Sequence, residues 1–318
     1  MSEPPLFTPY SARKLSMTDI AIIGGGPAGL TAAIYASRAG KSVTVYEKES
    51  FGGQIVFSPL VENYPGIAHI SGEDYAALLT AQAEALGVKL ENGEVTALRK
   101  AGDTFAITVD GSVVDARAVI LATGVAHKGL GLPGEADLIG CGLSFCAVCD
   151  GPFCAGQDAA VIGGGDTALQ DAIFLSGICR SVTLIHRRDS FRAEKRLVEK
   201  ASSQGNIHFL YDTVAEEYLT EDGSVTGLRL RNVKTGESFT KPFDGIFLAV
   251  GQKPQNDFLH GAAAVDPEGY MYSDETALTG TAGIFAAGDC RTKDVRQLTT
   301  AVGDGACAAI AACRYLDN

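Results

Sequence analysis

Residues 24 to 29 read Gly-Gly-Gly-Pro-Ala-Gly, and they directly follow a short apolar run from Asp19 to Ile23. An alanine-rich pattern with helical spacing continues from this loop to about Ala39. A strand, a glycine-rich turn and a helix in this order are typical of a dinucleotide-binding unit. The glycines permit the tight turn, the approach of backbone N–H groups to a pyrophosphate, and the packing of the helix on the sheet. We therefore predict a dinucleotide site at Gly24, Gly26, Pro27, Ala28 and Gly29.

The next apolar run, from Ser42 to Tyr46, predicts the second strand of this unit, and it ends at Glu47. A carboxylate at this point of a dinucleotide-binding unit accepts hydrogen bonds from a ribose. Glu47 is therefore a candidate ribose ligand.

A second copy of the unit begins with the apolar run Ala159 to Ile162. Glu47 stands 23 residues after Gly24, and His186 stands 23 residues after Gly163, so the acid of the first unit is replaced by a His-Arg-Arg sequence. Arginine binds a 2′-phosphate bidentately, whereas a carboxylate would repel it. We predict NADPH rather than NADH here, with these candidate ligands: Gly163, Gly165, Asp166, Thr167, Ala168, His186, Arg187, Arg188 and Arg192. The alternative for residues 188–195 is a solvated charged face.

Both units continue with a hairpin and a further strand. The first predicts strands Thr104 to Val109, Val113 to Ala116 and Val119 to Ala122; the second predicts Gly227 to Val233, Ser238 to Thr240 and Ile246 to Val250. A last strand, Gly283 to Asp289, and a helix from about Arg296 to Tyr315 return to complete the first domain.

The predicted fold class is α/β, with two Rossmann-like three-layer ββα dinucleotide-binding domains, the NADPH domain being inserted into the first domain, which the family resemblance described below identifies as the FAD domain. We expect a flexible leader at residues 1–18, the first domain at 19–128 and 253–318, and the second at 129–252. The family resemblance described below implies two strands that connect the domains, and these are expected near His127 to Leu132 and Gly251 to Pro254.

A cysteine pair, Cys146-Ala147-Val148-Cys149-Asp150, lies just ahead of the second loop. A C-x-x-C pair holds two sulfurs close enough to form a disulfide and tends to lower the pKa of one thiol. Redox dithiol chemistry is therefore the main interpretation. The alternatives are a zinc half-site, two inert buried thiols, and an iron-sulfur loop formed by Cys141, Cys146, Cys149 and Cys154.

Composition limits the possible partners and compartments. The chain has 318 residues, 46% of them hydrophobic, which is enough for the cores of two domains. Its net charge of −12 disfavours nucleic acid and anionic lipid as partners. The sequence contains no apolar run of the roughly 18 residues that cross a membrane and no secretory signal, so we expect a cytoplasmic protein.

Several motifs together resemble the low-molecular-weight, bacterial-type thioredoxin reductases, members of the two-dinucleotide-domain flavoprotein disulfide reductase superfamily. Besides the two glycine loops, the resemblance rests on F-G-G-Q at 51–54, E-N-Y-P-G at 62–66, A-T-G at 122–124, C-A-V-C-D-G at 146–151, H-R-R-D-S-F-R-A at 186–193, and G-D at 288–289 with Arg296-Gln297. The glutathione-reductase branch of the superfamily carries its cysteine pair in the first domain, after the ribose-binding acid. Residues 52–65 of this chain contain no cysteine, which excludes that branch.

The resemblance implies a homodimeric enzyme, an NADPH-dependent thioredoxin-disulfide reductase that holds FAD in its first domain. Cys149 would face the flavin, Cys146 would attack the disulfide of thioredoxin or a thioredoxin-like protein, and Asp150 would be the general acid. The further FAD contacts implied are Gly53, Gln54, Asn63, Thr123, Gly124, Gly288, Asp289, Arg296 and Gln297. Alternatives are a reductase of another redoxin or peroxidase partner, and a cysteine-ligated metal-sulfur electron carrier. Cys141 and Pro152 depart from the family pattern at positions implicated in docking.

Overall fold

The computed structural model of the chain describes residues 17–58 and 60–318. The expected flexible leader lies, up to residue 16, outside this part of the chain.

The strands of the described residues are, in chain order, β1 Thr18–Ile23, β2 Val43–Glu47, β3 Lys89–Asn92, β4 Val95–Ala101, β5 Thr104–Val109, β6 Ser112–Leu121, β7 Val125–His127, β8 Leu143–Ser144, β9 Asp158–Gly163, β10 Ser181–Ile185, β11 Ile207–Leu210, β12 Thr213–Glu221, β13 Ser224–Asn232, β14 Ser238–Pro242, β15 Gly245–Ala249, β16 Gln252–Pro254 and β17 Ile284–Ala286. The α-helices are α1 Pro27–Arg38, α2 Gly72–Ala85, α3 Glu135–Leu138, α4 Ala147–Asp150, α5 Asp166–Ser176, α6 Lys195–Ser202 and α7 Leu298–Asp317. Short 3₁₀ turns occupy Gly53–Phe57, Gly151–Cys154, Asp257–Leu259 and Gly288–Cys290.

The chain forms two compact units. The first comprises the described residues up to Phe51, Leu79–Thr123 and Asn256–Asn318; the second comprises the described residues of Gly52–Leu78 and Gly124–Gln255. These divisions fall a few residues from the expected boundaries at 128 and 253, and residues 52–78 group with the second unit. The assignment of residues 19–128 and 253–318 to one cofactor domain stays a prediction.

The first unit is built on one sheet with the order β3-β2-β1-β6-β5-β4, and β17 lies beside β6. Strands β3, β2, β1, β6 and β17 pair in parallel, and β6, β5 and β4 form an antiparallel meander. Ile20 and Ile22 of β1 face the core shared with α1 and α7, whereas Ala21 and Ile23 face the core shared with β4 and β5. Both faces of the strand are buried, which explains its continuous apolar sequence.

One strand of this sheet differs from the prediction. Val113 to Ala116 and Val119 to Ala122 do not form two strands, because β6 continues from Ser112 to Leu121. Arg117 and Ala118 include no turn-forming residue, and the strand changes partners along its length: its first half pairs with β5 and its second half with β1.

The second unit repeats this architecture. Its parallel sheet has the order β11-β10-β9-β15-β8, and β12, β13 and β14 form a separate antiparallel sheet. Ala159 and Val161 of β9 face the core shared with α5, and Ala160 and Ile162 face the core shared with β12 and β13. Each unit therefore has three layers, with helices on one face of a parallel sheet and antiparallel strands on the other.

Of the two connecting segments expected from the sequence, 251–254 contains β16, whereas 127–132 includes only the last residue of β7. β7 and β16 pair in antiparallel register, with His127 opposite Gln252.

Helices α1 and α7 of the first unit pack through small residues. A Cβ at Gly305 would lie 2.2 Å from the Ala28 carbonyl oxygen, whereas a Cβ at Gly303, on the same helix, would meet nothing within 4 Å. Close backbone contact therefore requires glycine at Gly305 but not at Gly303.

We expect Gly305→Ala to lower the free energy of unfolding by about 1–3 kcal/mol, because the added methyl group must push the two helices apart. Gly303→Ala should instead raise it by about 0.5–1 kcal/mol, because it removes a glycine from an exposed helical position. Denaturant unfolding of both variants measures the difference. Equal effects at the two positions would contradict the close packing.

Candidate active site

The C-x-x-C pair is joined in a disulfide between Cys146 and Cys149, whose Cα atoms lie 5.3 Å apart. Cys146 caps the short helix α4, and the N–H of Cys149 lies 3.2 Å from its sulfur. The Asp150 N–H donates to the Cys146 carbonyl oxygen at 3.0 Å. Both cysteines are half-buried, so the disulfide is held firmly but remains accessible.

The two carboxylate oxygens of Asp150, the candidate general acid, lie in different environments. Its Oδ2 accepts a hydrogen bond from the Ser144 hydroxyl at 2.5 Å, whereas its Oδ1 is buried without a hydrogen-bond partner. Burial raises the pKa of Asp150, and the bond from Ser144 partly offsets this. The site therefore favours the protonated form of this carboxyl group more than water does. No sequence motif pointed to Ser144.

The surface around the disulfide is apolar. Val148, Phe153 and Phe174 are all exposed. Phe174, on α5, lies beside the C-x-x-C segment, because a Cβ at Gly151 would lie 3.3 Å from its ring. Cys141 and Pro152 are exposed as well.

The first glycine loop requires close backbone contacts. Gly24 has a φ of +108°, and a Cβ there would lie 2.2 Å from the Ala122 carbonyl oxygen. A Cβ at Gly29 would lie 1.9 Å from the Gly24 carbonyl oxygen. Gly26 caps α1, whose first residue is Pro27, and Ala28 is buried. The loop thus presents the N-terminus of a 12-residue helix, where a phosphate can bind backbone N–H groups.

Glu47 lies beside this loop, as its spacing predicted. Its Oε2 accepts the Gly25 N–H at 2.7 Å and its Oε1 accepts the Glu49 N–H at 2.9 Å. These bonds fix the carboxylate at the end of β2.

Gly288 and Asp289 lie in the turn that follows β17. The Oδ1 of Asp289 is buried without a hydrogen-bond partner, and burial raises the pKa of this carboxyl group. A buried carboxylate oxygen needs a donor, and a hydroxyl group of a bound flavin nucleotide would supply one. The residues of this turn therefore fit such a cofactor.

The turn is held by a buried charge cluster centred on Asp304 of α7. Asp304 accepts the Gly288 N–H at 3.0 Å, two bonds from Arg291 at 2.8 Å each, and one from Lys293 at 2.9 Å. Burial would raise the pKa of Asp304, but these cations hold it below its usual range.

The other candidate flavin contacts lie in several environments. In the first unit, Thr123 donates to Asn256 at 2.7 Å, and the Arg296 guanidinium lies 4.3 Å from the centre of the Tyr270 ring. Gln297 caps α7. Gly124, Gly53, Gln54 and Asn63 group with the second unit, where Gln54 and Asn63 are exposed.

The second glycine loop is fixed to the segment 186–194. The Arg192 N–H donates to the Gly164 carbonyl oxygen at 2.8 Å, and the Glu194 N–H donates to Oδ1 of Asp166 at 2.7 Å. Gly165 caps α5, Thr167 is exposed, and Ala168 packs beneath Gly163. A Cβ at Gly165 would meet nothing within 4 Å, so the loop is open at this point and fits a bound nucleotide.

His186 and the arginines after it lie in different environments. His186 is buried, with its ring directly under Gly164 and its Nε2 3.0 Å from the Ser190 carbonyl oxygen. Burial lowers its pKa, which favours the neutral ring. The side chains that remain exposed are Arg187, Arg188 and Arg192. Lys234 forms ion pairs with Asp189 at 3.1 Å and Asp212 at 3.0 Å, so both of these acids are paired with a cation.

A family model described as pyridine nucleotide-disulphide oxidoreductase matches residues 18–305. The chain belongs to this family. Membership implies the use of a pyridine nucleotide and a flavin.

Close relatives support a narrower placement. A thioredoxin reductase from Mycolicibacterium smegmatis is 43% identical over 94% of this chain and 96% of its own length. A bifunctional thioredoxin reductase/thioredoxin from Mycobacterium leprae is also 43% identical, and the match covers 94% of this chain but only 66% of that protein. The resemblance to bacterial-type thioredoxin reductases is thereby confirmed.

Solved structures agree with the fold. A thioredoxin reductase from Streptococcus pyogenes matches with a TM-score of 0.91 and 41% identity over 95% of this chain and 98% of its own. One from Giardia duodenalis matches with a TM-score of 0.90 and 36% identity over 95% and 99%. The predicted fold class is confirmed.

The metal alternatives lack a ligand set in the structure. Among residues 17–58 and 60–318, no three His, Cys, Asp or Glu side chains lie together so as to hold a metal ion. Within the same ranges, no helix is long and apolar enough to cross a membrane.

His127, on β7, stacks on Phe145, the residue before Cys146. The ring centres lie 4.6 Å apart at 21°, and Nδ1 of His127 lies 3.3 Å from Nε2 of Gln252. Burial lowers the pKa of His127 to about 4. The connecting strands and the disulfide segment are thus joined by a neutral aromatic contact.

The unfolded chain binds a proton at His127 more readily than the folded protein does, since the unfolded pKa is about 6.5. The resulting stability is complete above about pH 6.5 and is lost as the pH falls towards 4, to a total of about 3 kcal/mol. His127→Phe keeps the stack and should flatten this part of the curve of unfolding free energy against pH. Substitution of the exposed His69 is the control, and an unchanged curve in His127→Phe would contradict the burial.

Proposed function

We propose that this chain uses NADPH and a bound FAD to reduce the disulfide of thioredoxin through the Cys146–Cys149 pair. The observation that carries the proposal is an accessible disulfide beside a carboxyl group of raised pKa, in a chain with two dinucleotide loops. The names of the relatives support the same activity.

FAD is assigned to the loop at Gly24–Gly29. The N-terminus of α1 would bind its pyrophosphate, Glu47 would bind a ribose, and Oδ1 of Asp289 would accept from a hydroxyl group. The other residues assigned to it are Gly53, Gln54, Asn63, Thr123, Gly124, Gly288, Arg296 and Gln297. When bound, the flavin would accept a hydride from the nicotinamide and pass two electrons to the disulfide.

NADPH is assigned to the loop at Gly163–Ala168. Arg187, Arg188 and Arg192 are the exposed cations available to a 2′-phosphate. His186 would not contact the nucleotide; its buried ring would support the loop by packing against Gly164.

Three residues of the chain would have separate roles in the thiol chemistry. Cys146 would attack the substrate disulfide, Cys149 would face the flavin, and Asp150 would supply the proton. The docked thioredoxin would make apolar contacts with three exposed side chains, Val148, Phe153 and Phe174.

We further propose a cytoplasmic homodimer. The family resemblance supports the dimer, and the expectation of a reducing compartment supports the location.

Replacing Arg187 and Arg188 together with alanine should raise the KM for NADPH about 100-fold or more and leave the KM for NADH nearly unchanged. Each hydrogen bond to a charged group contributes about 1.5–3 kcal/mol, and these bonds need the 2′-phosphate. Steady-state kinetics with both nucleotides measures the change. Arg196→Ala, at an exposed arginine of α6, is the control. An equal loss for NADPH and NADH would contradict the assignment.

The activity itself is tested by NADPH-driven reduction of oxidised thioredoxin, followed as NADPH consumption and thiol release. Cys146→Ser and Cys149→Ser should each abolish turnover. The dithiol gives up two electrons by closing into a disulfide, and one remaining thiol cannot close it. Cys307→Ser, at an exposed cysteine of α7, should retain it. Activity in either C-x-x-C variant would refute the dithiol role. Turnover with another redoxin but not with thioredoxin would show that thioredoxin is the wrong substrate assignment.

A further inference from the structure

Ser144 is a buried polar residue that the assignments above leave without a role. It ends β8, the strand that runs directly into the disulfide segment, and lies opposite Phe247 of β15 in parallel pairing. The sheet therefore fixes the position of its hydroxyl group.

That hydroxyl group contacts both the candidate acid and the attacking cysteine. It accepts the backbone N–H of Cys146 at 3.0 Å and lies 2.5 Å from Oδ2 of Asp150. Its other possible acceptor, the Cys146 carbonyl oxygen, is farther away at 3.4 Å. A serine hydroxyl has one proton to donate, and these distances direct it to Asp150.

The two oxygens of Asp150 are thereby made unequal. Oδ2 already accepts the Ser144 proton, so a proton carried by the carboxyl group belongs on Oδ1. Oδ1 is buried and has no hydrogen-bond partner. A buried polar atom without a partner is costly unless another group meets it during function.

We propose that Ser144 is a positioning residue, which holds Asp150 so that Oδ1 is the atom that takes up and delivers the proton of the dithiol exchange. This role rests on the proposed function, because it needs Cys146 and Cys149 to be the exchanging thiols.

The exchange balances with the groups named. Oδ1 takes the proton of the Cys146 thiol, and the thiolate attacks one sulfur of the substrate disulfide. That disulfide breaks, a Cys146–substrate disulfide forms, and the leaving sulfur receives the proton from Oδ1. Cys149 then attacks the sulfur of Cys146, its own proton passes to the second leaving sulfur, and the Cys146–Cys149 disulfide closes. The substrate gains two electrons and two protons, which the dithiol loses.

Ser144→Ala should remove a bond that stabilises the carboxylate form of Asp150. The pKa that governs exchange should therefore rise by about 1 unit, and the rate on the acid side of that pKa should fall about tenfold. Ser144→Thr, which keeps the hydroxyl group, should restore the profile. In an Asp150→Asn background, Ser144→Ala should have little further effect, because the group that it positions is gone.

The measurement uses the holoenzyme with its dithiol reduced by dithiothreitol and freed of reductant. The rate of its reaction with 4,4′-dithiodipyridine is followed from pH 5 to 9 in a Cys141→Ser/Cys307→Ser background, which removes the exposed thiols outside the pair. Neither NADPH nor thioredoxin is needed. Ser176→Ala is the matched control, since that hydroxyl group donates only to a helix carbonyl, at Ile173. Ser144→Val is a second variant, matched in shape to Ser144→Thr but without the hydroxyl group, in case Ser144→Ala does not fold.

A shifted profile in Ser144→Ala or Ser144→Val, with rescue by threonine, supports the proposal. An unshifted profile in the folded variants, or an additional full loss in the Asp150→Asn background, overturns it. A wild-type enzyme that reacts with 4,4′-dithiodipyridine but does not reduce thioredoxin would overturn the proposed substrate instead, so the two failures are distinguishable.

Discussion

The constraint on which the first unit depends is the close approach of backbone to backbone at its first glycine loop. Gly24 lies so near the Ala122 carbonyl oxygen, and Gly29 so near Gly24, that no side chain fits at either position. These two contacts bring the end of β1, the end of β6 and the start of α1 together. The small-residue packing of α7 on α1 continues the same close contact. The loop geometry is therefore set by excluded volume as much as by hydrogen bonds.

The residues of this loop and of the C-x-x-C pair were predictable, because each is a short contiguous pattern with a local physical cause. Ser144 was not, because its importance depends on a contact six residues away that forms only when β8 pairs with β15. The stack of His127 on Phe145 and the cluster around Asp304 likewise depend on tertiary packing. The error at β6 has a related origin: one strand serves two different neighbours, and its sequence changes character where the partner changes.

Buried charge is treated in two opposite ways in this chain. Asp304 is fully paired with Arg291, Lys293 and a backbone N–H, so it stabilises the turn at Gly288 and stays ionised. Asp150 and Asp289 each keep one buried oxygen without a partner, and burial raises both pKa values. A fully paired carboxylate supports structure, whereas a partly paired one retains capacity for chemistry or binding.

Supporting the glycine loop and contacting the nucleotide are candidate roles of one residue in the first unit but of different residues in the second. In the first unit, Glu47 both braces the glycine loop through Gly25 and is the candidate ribose ligand. In the second unit the bracing belongs to His186, inside the protein, while the neighbouring charges stand on the surface. Surface charges can be exchanged at little cost in stability, since substitutions away from the core seldom matter much to folding. The charges of the proposed nucleotide site could therefore change without refolding the second loop, whereas a change at Glu47 would also remove the bond that braces the first loop.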